Sequence, residues 1–309
     1  MCGPSGPRRG PCPGCDDDLR ETVENLTRRY NDLAQILSAH MRDPGDDRAR
    51  AGGDGIALAD ELVRIIGGVD VTPGEFPECA LIGRRSPNGA ESWSCSGVLV
   101  HPRVVLTAAH CSATRSPNIV ALAAESVSDL GAAELVEVRT VVPHPRYSAG
   151  SVGYDLLVLV LRTEAATTPV RIASAAELSA ATSTTLVGFG NDDFRATKGF
   201  GVKRQVTVGI TALRRTPTDD LGVAEQRWGF ESDREFVAGG GGYDSCNGDS
   251  GGPAYVMVGD EIALAGLTSR ATEGVRRRCG DGGIYTRVDV HRDFIGSALA
   301  DAGIPVPPT

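Results

Sequence analysis

Asp-Ser-Cys-Asn-Gly-Asp-Ser-Gly-Gly-Pro is the sequence of residues 244–253, and the rest of the chain is organised around it. Glycines lie on both sides of Ser250, so the main chain can turn tightly there and leave room for an approaching carbonyl group. Ser250 is therefore a candidate nucleophile, and the backbone amides of Gly248 and Ser250 are candidates for an oxyanion hole. The alternative interpretation is a glycine-rich turn without a chemical role.

Two other segments supply the groups that a serine nucleophile needs. Residues 106–111 read Leu-Thr-Ala-Ala-His-Cys, and residues 154–161 read Tyr-Asp-Leu-Leu-Val-Leu-Val-Leu. A serine hydroxyl attacks poorly at neutral pH unless an imidazole takes its proton, and that imidazole needs a carboxylate to fix its tautomer. His110, Asp155 and Ser250 fit these three catalytic roles.

In these segments the chain resembles the trypsin/chymotrypsin family of serine proteases, whose catalytic residues follow the same order, His, Asp, Ser. The resemblance covers roughly residues 65–295. It implies an all-β fold of two six-stranded antiparallel β-barrels with a C-terminal helix, and an active cleft between the barrels. By resemblance, His110 and Asp155 come from the first barrel and Ser250 from the second.

The hydrophobic pattern of this region agrees with a β-rich fold. Short β-branched and apolar runs alternate with turns rich in Pro, Gly and Asn, which is typical of sandwiches and barrels. A closing helix is predicted over residues 289–300. The predicted strands are residues 79–82, 94–100, 104–107, 119–123, 135–142, 156–161, 184–190, 203–211, 234–238, 253–258, 262–269 and 283–288.

The cysteines carry a further expectation. By resemblance, Cys95 pairs with Cys111 beside the candidate histidine, and Cys246 pairs with Cys279 across the specificity pocket. Two such bridges favour an extracellular or other oxidising compartment. No stretch before residue 65 has the charged start and apolar core of a secretory signal peptide, so the sequence leaves the location of the protein open.

The composition and charge argue against several classes of function. A net charge of -9 argues against a nucleic-acid partner, because no broad basic surface is left to neutralise phosphates. No apolar run has the length of a membrane span. We expect no cofactor and no metal: Cys2, Cys12 and Cys15 offer three thiols without a nearby fourth ligand, which is weak evidence for zinc. The partners of these three cysteines and of Cys79 are left unassigned.

Residues 1–64 lie outside the family resemblance and are interpreted as an N-terminal extension, with the protease domain at residues 65–309. Residues 1–15 are rich in Pro, Gly and Cys, and residues 43–60 form a Gly-, Asp- and Arg-rich linker. Between them the spacing of apolar residues predicts an amphipathic helix over about 16–42. Self-association through this helix, docking onto the protease domain and an ordinary amphipathic helix are the alternatives.

Arg64-Ile65-Ile66-Gly67-Gly68 resembles the cleavage site of a zymogen. In the family, a cut after the basic residue frees an α-amino group, here that of Ile65, which pairs with the Asp before the nucleophile, here Asp249. A buried carboxylate without a partner is costly, so an arriving ammonium group can order the loops around it. The activating enzyme would be a trypsin-like protease or a second copy of this chain.

The resemblance also predicts the substrate. Asp244 stands where trypsin-like members have the acid at the floor of the primary specificity pocket, which selects Arg or Lys side chains. Ser269 to Ala271 would pair with the extended substrate, and Ala271 and Gly283 would line the pocket. Two departures stand against this: Arg270 replaces a usual Trp, and the arginines at 276–278 either reach toward Asp244 or form a solvated loop.

The sequence thus favours a serine endopeptidase that is made as a zymogen and cleaves protein or peptide substrates after Arg or Lys. Three alternatives are kept. One is a catalytically silent homologue that binds a partner, the second is a protease with non-tryptic specificity, and the third is an esterase that uses the same three residues.

Overall fold

The computed structural model describes residues 67–149, 152–277 and 279–305. The N-terminal helix and the cleavage site at Arg64 and Ile65 lie outside these residues. Thirteen strands are present in the described part of the chain. They are β1 (Val69–Asp70), β2 (Cys79–Arg85), β3 (Glu91–His101), β4 (Val104–Thr107), β5 (Ile119–Leu122), β6 (Glu134–Pro143), β7 (Leu157–Leu161), β8 (Ser183–Gly188), β9 (Arg204–Ala212), β10 (Glu235–Ala238), β11 (Pro253–Val258), β12 (Glu261–Ala271) and β13 (Gly283–Arg287).

The first six-stranded unit is a closed antiparallel barrel in the order β2-β3-β4-β7-β6-β5. Alternate residues of its strands point to opposite sides of the sheet, and both sides are covered. One set, which includes Leu157 and Leu159, packs only against residues of this barrel, whereas the other, which includes Val158 and Val160, belongs to a core shared with the second barrel. Burial on both sides explains why β7 reads as a continuous apolar run.

The second unit closes in the same way. Its strands follow the order β9-β10-β13-β12-β11-β8, β8 also pairs with β9, and the short strand β1 adds to the outside of β9. The two predicted six-stranded antiparallel barrels are therefore confirmed. All twelve predicted strands are present, and their ends differ from the predicted ones by a few residues.

Helices are short and few in the described part of the chain. They are α1 (Ala175–Ala180), α2 (Gly222–Trp228) and α3 (Arg292–Asp301), with 3-10 turns at Ala109–Ser112 and Asp289–His291. The predicted closing helix corresponds to the last 3-10 turn and α3. Sequence patterning missed α1 and α2, because six or seven residues are too few to establish a helical period. Among the described residues, no helix has both the length and the apolar character that a membrane crossing requires.

Candidate active site

His110 is held at the end of a barrel strand. Strand β4 ends at Thr107, and the 3-10 turn that follows carries His110 and Cys111. The predicted disulfide between Cys95 and Cys111 is present and ties this turn to β3. Its two sulfurs lie near the His110 ring, but a disulfide lacks the thiolate charge that binds a metal ion, so this cluster does not fit a metal site.

Asp155 faces His110 with both carboxylate oxygens. The His110 backbone amide donates to Oδ1 at 2.9 Å, and the ring Nδ1 lies 2.8 Å from Oδ2. Ser269 Oγ also donates to Oδ2, at 2.7 Å. Burial of Asp155 opposes ionisation, but the hydrogen bonds from His110 and Ser269 outweigh it and lower the pKa of the carboxyl group. An ionised Asp155 keeps the proton of the imidazole on Nδ1, which leaves Nε2 free to act as a base.

The loop that precedes β11 brings Ser250 to the same place. Its carbonyl oxygen accepts the Ser96 amide at 2.9 Å and lies 3.7 Å from Sγ of Cys111. The next residue, Gly251, has a φ of +75°, and a Cβ there would collide with Thr107 and its neighbouring backbone. Only glycine fits, and this close contact puts the Ser250 backbone against the segment that carries His110.

The proposed oxyanion donors are available. Neither the Gly248 amide nor the Ser250 amide donates a hydrogen bond to any acceptor in the described ranges. The carbonyls that share their peptide units are both bound: the Asn247 carbonyl accepts the Asn191 amide at 2.8 Å, and the Asp249 carbonyl accepts the Gly252 amide at 2.7 Å. Fixing these carbonyls orients the two peptide units and leaves the Gly248 and Ser250 N–H groups able to stabilise a developing negative charge.

Asp244 lies six residues before Ser250 and is 2% exposed. Its carboxylate accepts hydrogen bonds from the amides of Ser245 at 2.8 Å, Gly282 at 3.0 Å and Gly280 at 3.3 Å. Burial nevertheless raises the pKa of Asp244 to about 7. A cationic side chain next to this carboxyl group would favour its ionised form.

The two small residues predicted to line the pocket lie close together. Ala271 and Gly283 are partners across the β12–β13 pair, and Ala271 is exposed. A Cβ on Gly283 would lie 2.8 Å from the Tyr285 hydroxyl and 3.0 Å from Oδ1 of Asp244, so a side chain at this position would crowd the carboxylate. That the two residues line a specificity pocket stays a prediction. The Ser269 side chain is buried against Asp155, a contact that the sequence does not reveal, while pairing of the Ser269–Ala271 main chain with substrate stays a prediction.

The described arginines of the 276–278 run do not neutralise Asp244. The amides of Arg276 and Arg277 donate to Asp281 at 2.8 and 3.0 Å, and both residues are exposed. The Arg277 guanidinium lies 4.6 Å from the centre of the Phe194 ring. The solvated-loop alternative is therefore the correct one for these two residues.

Asp249 is a second buried acid, next to Ser250. It is 2% exposed and accepts the Gly190 amide at 2.7 Å and the Cys246 amide at 2.8 Å. Burial raises the pKa of Asp249 to about 6, and the charge of Arg204 partly offsets this rise. Pairing between Asp249 and the amino group of Ile65 stays a prediction.

Sequence reasoning missed Arg204 altogether. Its buried guanidinium donates to the Gly199 carbonyl at 2.7 Å and the Gly190 carbonyl at 3.3 Å, and pairs with Asp70 at 3.0 Å. It thereby holds the loop whose Gly190 amide contacts Asp249. The available signal was that Arg204 falls on the same side of β9 as the buried Val206 and Val208, but its partners could not be identified from the sequence.

The chain is similar to several known proteins. The family model described as Trypsin matches residues 65–295. The chain is 29% identical to a trypsin from Saccharopolyspora erythraea over 75% of this chain and 96% of that protein. It is also 29% identical to the serine protease snk of Drosophila melanogaster, over 92% of this chain and 67% of that protein.

Two further matches add to these. Phenoloxidase-activating factor 1 of Holotrichia diomphalia is 30% identical over 76% of this chain and 70% of its own length. Among solved structures, one described as "Structure of GrC" superposes with a TM-score of 0.62 at 23% identity, over 76% of this chain and 100% of that one. At this identity the solved structure supports the fold alone.

Proposed function

Because the chain belongs to the trypsin family of serine proteases, we propose that it is a serine endopeptidase in which Ser250 attacks the carbonyl carbon of a peptide bond. The observation that carries the proposal is the His110–Asp155 pair, with Nδ1 2.8 Å from Oδ2, beside the loop that bears Ser250. Contacts of the Ser250 carbonyl with Ser96 and Cys111 support the convergence of these groups.

The chemistry follows from the hydrogen bonds. With its Nδ1 proton donated to Asp155, His110 accepts the Ser250 hydroxyl proton at Nε2 while Oγ bonds to the carbonyl carbon. The negative charge that develops on the carbonyl oxygen is stabilised by the amides of Gly248 and Ser250. The imidazolium then protonates the leaving amine as the C–N bond breaks, and water hydrolyses the acyl-enzyme by the same steps.

The proposed substrates are proteins or peptides with Arg or Lys before the scissile bond. Asp244 supports this choice, because it is buried and lies six residues before Ser250, where the resemblance predicts the floor of the specificity pocket. Gly283 and Ala271, which are predicted to line that pocket, are small residues that would admit a long side chain. A guanidinium or ammonium group would pair with the carboxylate at the pocket floor, whereas a neutral side chain would leave it unpaired.

Activation is proposed to require cleavage between Arg64 and Ile65. The buried Asp249 carboxylate beside Ser250 supports this, because it is suited to receive a new ammonium group. The test compares the chain cut at Arg64 with an Arg64→Gln chain that resists the cut. We expect peptidase activity only after cleavage, and full activity of the uncut chain would refute this activation.

The catalytic proposal is tested by labelling with a fluorophosphonate, which bonds to activated serines. The chain is cut at Arg64 with immobilised trypsin, which is then removed. We expect labelling of the wild type and of a Ser297→Ala control, whose exposed hydroxyl lies on α3, and no labelling of Ser250→Ala. A wild type that is folded, cut and unlabelled would support the silent homologue instead.

Specificity is tested on matched peptide amides and esters with Arg, Phe or Ala before the scissile bond. We expect the Arg amide to be cleaved best, and Asp244→Asn to lose that advantage by at least about 100-fold. Asp293→Asn, an exposed acid on α3, serves as the control. Equal rates for the three amides would remove the preference for basic residues, and turnover of esters alone would indicate an esterase.

A further inference from the structure

A buried carboxylate lies behind the candidate acid Asp155. Glu235 begins strand β10 and is completely buried. Its Oε1 accepts the Gly153 amide at 3.0 Å and its Oε2 accepts the Glu231 amide at 2.9 Å. Gly153 lies two residues before Asp155, so this carboxylate anchors the loop that presents Asp155 to the cleft.

The charge of Glu235 is balanced by Arg270. Nη1 of Arg270 donates to Oε1 at 2.5 Å and Nη2 donates to Oε2 at 3.0 Å, which makes the pair bidentate. Nη2 also donates to the Gly229 carbonyl at 2.8 Å. Two parallel hydrogen bonds fix the guanidinium plane as well as its distance, which a single bond would not do.

The same guanidinium reaches the other side of Asp155. Nη1 of Arg270 lies 3.4 Å from Oγ of Ser269, and that hydroxyl donates to Oδ2 of Asp155 at 2.7 Å. Glu235 Oε1 therefore accepts hydrogen bonds from two places. One donor is the Gly153 amide, in the segment that leads to Asp155, and the other is Arg270, the residue after Ser269. The pair joins the two elements that set the position of the Asp155 carboxylate.

The Gly153 peptide cannot move independently of these contacts. Its carbonyl accepts Nε2 of the buried His291 at 3.1 Å while its amide is bound to Glu235. Gly153 has a φ of +82°, and a Cβ there would lie 2.9 Å from Glu231 and 3.0 Å from Arg234. A backbone conformation that favours glycine is thus held at its amide by Glu235 and at its carbonyl by His291.

We propose that Glu235 and Arg270 form a positioning pair that holds Asp155 and its donor Ser269 in register with His110. This inference rests on the proposed function. Arg270 stands where the family usually has Trp, so the family pattern assigns no such part to this position, and Glu235 shares no motif with the catalytic segments. Neither residue touches the reacting atoms, and both act through Asp155.

The test separates positioning from stability. Removing one partner leaves the other charge buried, so Glu235→Gln and Arg270→Met lower both stability and activity. The double variant Glu235→Gln/Arg270→Met leaves no charge at this site and keeps a neutral side-chain oxygen that can accept the Gly153 amide, so we expect its unfolding free energy in urea to exceed that of Arg270→Met. On a short substrate with a single residue before the scissile bond, we expect its kcat to be at least about tenfold below that of the wild type, with an unchanged KM.

Two companion variants sharpen the result. Arg270→Lys keeps the charge but not the bidentate geometry, so we expect an intermediate kcat. Glu137→Gln removes one partner of the exposed Glu137–Arg162 pair, with nitrogen and oxygen 2.9 Å apart, and should change neither quantity. A short substrate is used because it does not extend along the strand as far as Arg270.

The outcomes are distinct. A double variant with wild-type kcat and fluorophosphonate labelling would overturn the proposal and leave the pair a scaffold element. Losses confined to peptides with several residues before the scissile bond would also overturn it, and would assign Arg270 to substrate contact. If the cut wild type is unlabelled, the proposed function itself fails and this inference falls with it. If the cut wild type is labelled and the variants keep wild-type kcat, only the positioning pair is rejected and the proposed function stands.

Discussion

The hydroxyl of Ser269 donates a 2.7 Å hydrogen bond to Oδ2 of Asp155, the same oxygen that lies 2.8 Å from Nδ1 of His110. One carboxylate oxygen therefore serves two donors, while Oδ1 receives the His110 amide. The Asp155 carboxylate is oriented by three hydrogen bonds from two barrels, and each bond favours its ionised form.

Loss of the Ser269 hydroxyl is predicted to weaken catalysis without unfolding the protein. Ser269→Ala removes one of three donors to Asp155, so we expect kcat/KM to fall about tenfold, consistent with a hydrogen bond to a charged group. Ser269→Thr, which keeps the hydroxyl, should retain more activity. Steady-state kinetics on an Arg amide measures the effect, and wild-type kcat/KM in Ser269→Ala would contradict it.

Preference for basic substrates is predicted to increase with pH. The pKa of Asp244 is raised to about 7 by burial, so the carboxylate is mostly neutral below that pH and mostly ionised above it. The ratio of kcat/KM for an Arg substrate to that for a neutral one should rise about tenfold between about pH 6 and about pH 8. Taking this ratio cancels every pH effect that both substrates share. A flat ratio, or a rise that survives in Asp244→Asn, would contradict the prediction.

Acid is predicted to destabilise the fold through His144. Burial, with the nearby His291, Arg146 and Arg234, lowers the pKa of His144 from 6.5 to about 4. Between these values the unfolded chain binds a proton that the folded chain excludes, so stability present above pH 6.5 is lost as the pH falls toward 4. At about 1.36 kcal/mol per pKa unit, we expect a loss of about 3 kcal/mol from this residue.

Urea unfolding at several pH values measures this effect. The His144 Nδ1 accepts the Arg146 amide at 3.2 Å, and His144→Gln keeps a neutral acceptor near that amide. The variant should show a shallower fall of unfolding free energy over the same pH range. An identical fall in both proteins would show that other groups cause the acid sensitivity.

The Cys246–Cys279 disulfide is predicted to contribute both to stability and to substrate specificity. Cys246 and Cys279 close a loop of 33 residues, for which loop-closure entropy gives about 3 to 4 kcal/mol. Cys246→Ser/Cys279→Ser should lose about that much unfolding free energy. Because Cys279 is next to Gly280, whose amide binds Asp244, the preference for Arg substrates should also weaken. Unchanged stability of the double variant would contradict the entropy argument.

Several features could be read from sequence because they are local. The strands are visible from their apolar runs and turns, and His110, Asp155 and Ser250 are recognised from the few residues around each. The disulfides Cys95–Cys111 and Cys246–Cys279 follow from the family resemblance and are present as expected. Short-range patterns carry this information because strand periodicity and tight turns depend on neighbouring residues.

The tertiary structure alone decided how these local pieces are supported. Glu235 and Arg270 are 35 residues apart, and Ser269 and Asp155 are 114 residues apart, yet each pair is in hydrogen-bond contact. The contact between Ser269 and Asp155 depends on how the two barrels pack, and the contact between Glu235 and Arg270 depends on the order of strands in the second barrel, and no short stretch of sequence encodes either. A charged residue at a strand end is ordinarily solvated, so the sequence does not show that Glu235 needs a charged partner. Its burial shows that need, and its hydrogen bonds identify Arg270 as the partner.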